Sequence, residues 1–117
     1  MRVPSIVVSA LLVASASLSL APSALASQEM VVHLATSGFT PGSMTISAGD
    51  RVRFTVRDHK PHQIAKTGGP NSGDVAPNVL EGRGSSVTLM PDEPGTYTYV
   101  DRLNPSKPEF RLTVRRR

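Results

Sequence analysis

The stretch Gly95-Thr96-Tyr97-Thr98-Tyr99-Val100-Asp101-Arg102-Leu103-Asn104-Pro105-Ser106-Lys107-Pro108-Glu109-Phe110-Arg111-Leu112-Thr113-Val114 decides how the rest of the chain is read. Gly95–Tyr99 is strand-like, because a turn glycine opens a run of β-branched and aromatic side chains. Phe110–Val114 alternates apolar and polar with period two, the mark of a strand with one face in a core. Between them Asp101–Pro108 reads as a loop, since Asp, Asn, Ser and proline hold a sheet ladder poorly. Two strands joined by a polar loop, with His62 arriving from earlier in the chain, form a layout for a metal site at one end of a β-sandwich.

Upstream, Arg51–Arg57 carries the cleanest alternation in the protein. Val52, Phe54 and Val56 point one way, while Arg51, Arg53, Thr55 and Arg57 point the other. Met30–Leu34 reads as a first strand closed by Thr36-Ser37-Gly38, Phe39–Gly42 as an irregular connection, and Met44–Ser47 as a short strand before the turn Ala48-Gly49-Asp50. Asp58-His59-Lys60-Pro61 ends the strand, because proline cannot donate to a ladder. His62–Ala65 then resumes as a short strand, and Ser85–Met90 is another. Lys66–Gly84, rich in glycine and proline, is the least structured part, with at most a helical turn around Val79. About seven short strands, regular turn signals and no amphipathic helix predict an all-β, antiparallel Greek-key β-sandwich.

The start of the chain has a different character. Met1-Arg2 precedes an apolar run to Ala21 and a small-x-small ending, Ala24-Leu25-Ala26, which reads as a secretory signal peptide spanning 1–26. An uncleaved anchor fits less well, because the run is short and carries five serines between Ser5 and Ser19. The domain is then 27–117, secreted or periplasmic, and small enough that its core leaves little to spare. The chain has no cysteine, so it has no disulfide, no thiolate nucleophile and no thiolate metal ligand.

Across the whole chain 13 Lys and Arg stand against 9 Asp and Glu, and the basic excess gathers in Arg115-Arg116-Arg117. Such a tail either docks on an anionic cell-envelope surface or is simply solvated. Nucleic acid is a poor partner for an expected exported chain with two tyrosines and three phenylalanines for stacking. No segment after the signal is apolar enough to span a bilayer, and a monomer with a protein or envelope partner is expected.

Three pieces resemble the cupredoxins, the plastocyanin-like copper proteins, in the same order and at similar spacing. They are Gly38–Pro41 with Met44–Phe54, then Asp58-His59-Lys60-Pro61-His62, then Pro94–Tyr99. The chain also resembles a detached relative of the cupredoxin-like domains found in iron-uptake proteins of the EfeO type. The likeness implies a first histidine ligand at His62. It puts the family's cysteine position on Asp101, its second histidine on Asn104 and its axial methionine near Lys107. Without the thiolate, a one-electron carrier of the plastocyanin type is not expected: a carboxylate is a harder ligand that favours Cu(II), and an amide is a feeble one.

Two readings of the site stand side by side. In the first, His62, Asp101 and Asn104 form a hydrogen-bonded polar cluster in an exported binding or accessory module, with Asp101 favouring the protonated imidazole. In the second, the same residues, with His59 or water, form a weak type-2-like Cu(II) or Zn(II) site for extracytoplasmic metal handling. No cofactor is required by the first; a copper ion, then zinc, would be the candidates for the second. His33 sits mid-strand and reads as a sheet-surface side chain. No Gly-x-Ser-x-Gly, His-Glu-x-x-His or phosphate-binding glycine loop is present, so the chain is not read as an enzyme.

Overall fold

Val52, Phe54 and Val56 are fully buried, while the residues between them face outward, as the alternation in this segment requires. The computed structural model describes residues 26–117; the expected signal segment lies outside the described residues apart from its last residue, Ala26. Eight strands follow in order: β1 (Glu29–Ala35), β2 (Gly38–Thr40), β3 (Ser43–Ser47), β4 (Arg51–Val56), β5 (Ile64–Gly68), β6 (Ser86–Leu89), β7 (Gly95–Asp101) and β8 (Phe110–Arg115). They form two four-stranded sheets, ordered β2-β1-β4-β6 and β3-β8-β7-β5, packed as a sandwich. Four neighbouring pairs are antiparallel, and β1 with β4 and β3 with β8 are parallel. No helix among the described residues is long and apolar enough to cross a membrane.

The core is built from the inward parity of each strand: Val32 and Leu34, Val52, Phe54 and Val56, Tyr97 and Tyr99, Phe110, Leu112 and Val114. Phe54 lies at its centre. Its ring centroid is 5.7 Å from Phe39, 5.4 Å from Phe110 and 5.9 Å from Tyr99. These separations fall in the range of favourable edge-to-face and tilted ring pairs.

Three local expectations are corrected by the packing. The expected irregular connection begins with a strand, because Phe39 turns inward against Phe54 and Phe110 and its backbone pairs with Leu34. The expected loop from Asp101 begins a residue later, because Asp101 shares the inward parity of Tyr97 and Tyr99 and pairs with Ile64. No helical turn forms around Val79. Leu80 instead makes a two-way backbone bridge to His62, with N–H···O distances of 3.0 and 2.7 Å.

The segment after β5 is folded back over the edge of its sheet. The Lys66 ammonium donates to the carbonyls of Pro70 and Ser72 at 2.7 and 2.9 Å and pairs with Asp74 at 2.6 Å. The Tyr99 hydroxyl donates to the Gly73 carbonyl at 2.7 Å, which satisfies the polar tip of a buried ring. Gly73 has φ +63°, and a Cβ there would sit 2.8 Å from that hydroxyl, so glycine is required both by backbone and by space.

Candidate functional site

His62 reaches the end of the sandwich just before β5, with its backbone held by Leu80 and its side chain completely buried. Asp101 arrives as the last inward residue of β7 and is 4% exposed. His62 Nδ1 lies 2.6 Å from Asp101 Oδ2. On the opposite side of the ring, His62 Nε2 lies 2.7 Å from Asp58 Oδ1. A ring nitrogen can bond a carboxylate only through its proton, so both nitrogens carry one and His62 is an imidazolium between two carboxylates.

Each carboxylate is anchored further. Asp101 Oδ1 accepts from the backbone N–H of Gln63 at 3.0 Å and of Leu103 at 3.1 Å, and Asp101 Oδ2 accepts from the Asn104 side-chain amide at 2.8 Å. Asp58 accepts from the N–H of Thr36 at 2.8 Å and of Lys60 at 3.1 Å. The Asn104 amide nitrogen is also 3.4 Å from His62 Nδ1. With the imidazole protonated that contact sets donor against donor and is no hydrogen bond.

The structure therefore brings together His62, Asp101 and Asn104, as the reading of the ligand loop expects. It leaves His59 exposed on the turn, with no hydrogen bond to the cluster among the described residues. His33 is half-buried on the outer face of β1 beside Arg57. The residue missed is Asp58. Its signal was local: an aspartate two residues before Lys60 is placed to cap a turn, and four residues before His62 it can return to that ring.

Burial by itself would lower the His62 pKa, but the hydrogen bonds and charges of Asp101 and Asp58 outweigh it and raise the value above the ordinary imidazole range. Burial pushes both carboxylates up. For Asp58 the bonds from His62, Thr36 and Lys60 prevail and hold it at about 2; for Asp101 those from His62, Gln63, Asn104 and Leu103 likewise keep it low. A depressed acid contributes stability above its unfolded pKa and loses it as pH falls, whereas a raised histidine contributes below its unfolded pKa and loses it as pH rises.

Thermal stability should therefore be greatest between about pH 4 and pH 6.5. It should fall towards pH 2 and, above pH 6.5, by at most about 1.4 kcal/mol per pH unit until folded His62 itself titrates. Melting temperature measured against pH checks this. An alkaline limb equally steep in His62→Gln would assign it to other groups.

The family model for the cupredoxin-like domain matches residues 5–114. The chain belongs to the cupredoxin-like family. Among solved structures, oxidised plastocyanin from the fern Dryopteris crassirhizoma is 27% identical, with a TM-score of 0.62 over 73% of this chain and 99% of that one. Amicyanin from Paracoccus versutus is 21% identical, with a TM-score of 0.63 over 74% of this chain and 80% of that one, and shares the fold. A Cu(I) form of an amicyanin variant is 22% identical, with a TM-score of 0.59 over 74% and 81% of the two chains. No curated protein matches the chain significantly.

A cupredoxin-like domain that carries blue copper needs two histidines, a cysteine thiolate and a weak axial ligand. This one has no cysteine, and among the described residues no group of three or more His, Cys, Asp or Glu side chains is arranged to hold a metal ion. The geometry explains why. Asp58 and Asp101 sit on opposite ring nitrogens, so no one position sees both carboxylates and the imidazole. A metal placed between Nδ1 and Asp101 needs a bond of about 2 Å to each and a separation of about 3 Å or more. At 2.6 Å the pair is closed around a proton. The residues present do not fit a blue-copper ion.

Proposed function

We propose that this chain is an exported cupredoxin-like binding or accessory module in which an internal Asp58–His62–Asp101 ion triad stands where copper-carrying relatives hold their metal. The observation that carries this reading is the saturation of both His62 nitrogens by carboxylates at 2.6 and 2.7 Å. The composition of Met1–Ala26 supports export to a secreted or periplasmic location. The domain acts as a non-enzymatic monomer: an imidazolium with both protons committed has no free nitrogen to serve as a general base. The triad ties the end of β4, the start of β5 and the end of β7 together.

Titration of the protein with Cu(II) and with Zn(II), followed by calorimetry and repeated on His62→Ala, tests the reading. The expected result is no saturable site at micromolar metal in either form. A micromolar or tighter site that disappears in His62→Ala would favour the alternative, a weak type-2-like Cu(II) or Zn(II) centre on His62, Asp101 and Asn104. Ligation would then require the imidazole to lose a proton, so affinity would rise with pH.

A further inference from the structure

The outer face of the β2-β1-β4-β6 sheet carries an arrangement that neither the core nor the triad uses. The inward residues of β4 leave Arg51, Arg53 and Thr55 facing out, and the Arg57 N–H continues the ladder to the Leu34 carbonyl at 2.9 Å. Strand registers set the neighbours of this row. Glu29 lies beside Arg51, Val31 and Thr88 flank Arg53, and Thr40, His33, Thr55 and Ser86 line up across all four strands. Among the described strand positions on this face, the three arginines have one carboxylate beside them, Glu29.

The arginines are poorly matched within the protein. Arg53 Nε is 3.5 Å from Glu29 Oε1, an ion pair too long for a hydrogen bond. Arg53 Nε and Thr55 Oγ1 are both shielded from solvent and have no hydrogen-bond partner among the described residues. Buried polar atoms without partners call for a ligand, an ion or water. Arg57 Nη1 rests 3.2 and 3.3 Å from the two ring nitrogens of His33, a contact that leaves its charge unopposed. The Arg51 side chain makes no hydrogen bond or ion pair among the described residues, its backbone N–H alone donating to the Gln28 carbonyl at 2.8 Å.

We propose that this face binds a linear anionic polysaccharide. Arg51 and Arg53 are spaced about 7 Å apart along the strand and Arg57 about 13 Å beyond, a row that one small anion cannot span and a charged polymer can. Guanidinium groups pair in plane with sulfate or carboxylate, and the flanking hydroxyls of Thr40, Ser86 and Thr88 suit sugar hydroxyls. The face has no aromatic platform, because Phe39 and Phe54 are turned into the core, which disfavours single-stranded nucleic acid. Its apolar side chains within the strands are the small Val31 and Ala35, with the exposed Met90 just past the end of β6, too little for a membrane anchor. The inference does not depend on whether His62 binds metal.

Binding of dextran sulfate and of heparin, with neutral dextran as the blank, tests it in a salt series. The unmodified protein should bind both charged polymers, more weakly as salt rises, and should ignore neutral dextran. Arg51→Gln with Arg53→Gln and Arg57→Gln should weaken binding by about tenfold or more and flatten the salt dependence. Glu29→Gln, which removes the one opposing charge, should tighten it by about two- to threefold. Arg115→Gln with Arg116→Gln, in the basic tail, should change it by less than about twofold. Undiminished binding in the triple variant, an equal loss in the tail variant, or unchanged binding in Glu29→Gln would each overturn the assignment. Equal or tighter binding to phosphatidylserine vesicles would assign the face to a lipid surface instead.

Discussion

Replacing Asp101 by alanine should cost about 3–5 kcal/mol, the usual penalty for breaking a buried ion pair, even though Asp58 remains on the other ring nitrogen. The argument rests on what the substitution strands. His62 is completely buried, and its Nδ1 proton would lose the carboxylate 2.6 Å away. The N–H groups of Gln63 and Leu103 and the amide of Asn104 would lose the same acceptor. In a domain of this size each kcal/mol is worth roughly 4–8 °C, so melting should fall by more than 10 °C. Asn104→Ala removes one donor to the same carboxylate and should cost only about 1 kcal/mol. The contrast between the two variants, read by thermal melting near pH 6, is the discriminating result. A loss below about 1 kcal/mol in Asp101→Ala would mean that His62 is neutral when folded and that the triad is not an ion triad.

Phe54→Ala should be comparably severe, at about 3–5 kcal/mol. Phe54 is fully buried and contacts the rings of Phe39, Tyr99 and Phe110, which come from β2, β7 and β8. Its removal would open a cavity between the two sheets that these stiff rings can fill only in part. Typical domains have only about 5–15 kcal/mol in hand, so the variant would sit near the limit of folding. Phe54→Leu, which keeps most of the volume, should retain a cooperative transition and lose much less. Urea unfolding checks both: the midpoint should fall with little change in slope. A small effect in Phe54→Ala would show that the sheets close over the gap.

Much of the framework was open to inspection in the linear chain. The alternation in Arg51–Arg57 and in Phe110–Val114 assigns inside and outside without any knowledge of partners, because side chains of a strand point to opposite faces in turn. The pairing of His62 with Asp101 was legible through the family's ligand spacing. The β2 strand was not, since Gly38-Phe39-Thr40 is too short to show a period and precedes a proline. The parallel pairings of β1 with β4 and β3 with β8 likewise leave no local trace, because they join segments separated by other strands.

By itself, the amino-acid sequence determined that the protein is a two-faced β-sandwich with a polar cluster at one end and no thiolate for copper. The sandwich and the missing thiolate follow from periodicity and residue type, which are properties of neighbours along the chain, and the polar cluster follows from the family resemblance in ligand spacing. Tertiary structure alone decided the state of the cluster. Asp58 closes on the second nitrogen of His62 only when the turn after β4 folds over the end of β7, and that second carboxylate turns a metal-type histidine into a buried cation. The arginine face is the same case in reverse: the three arginines are visible in one strand, but their single opposing charge and their unmatched atoms depend on the register of the strands beside them.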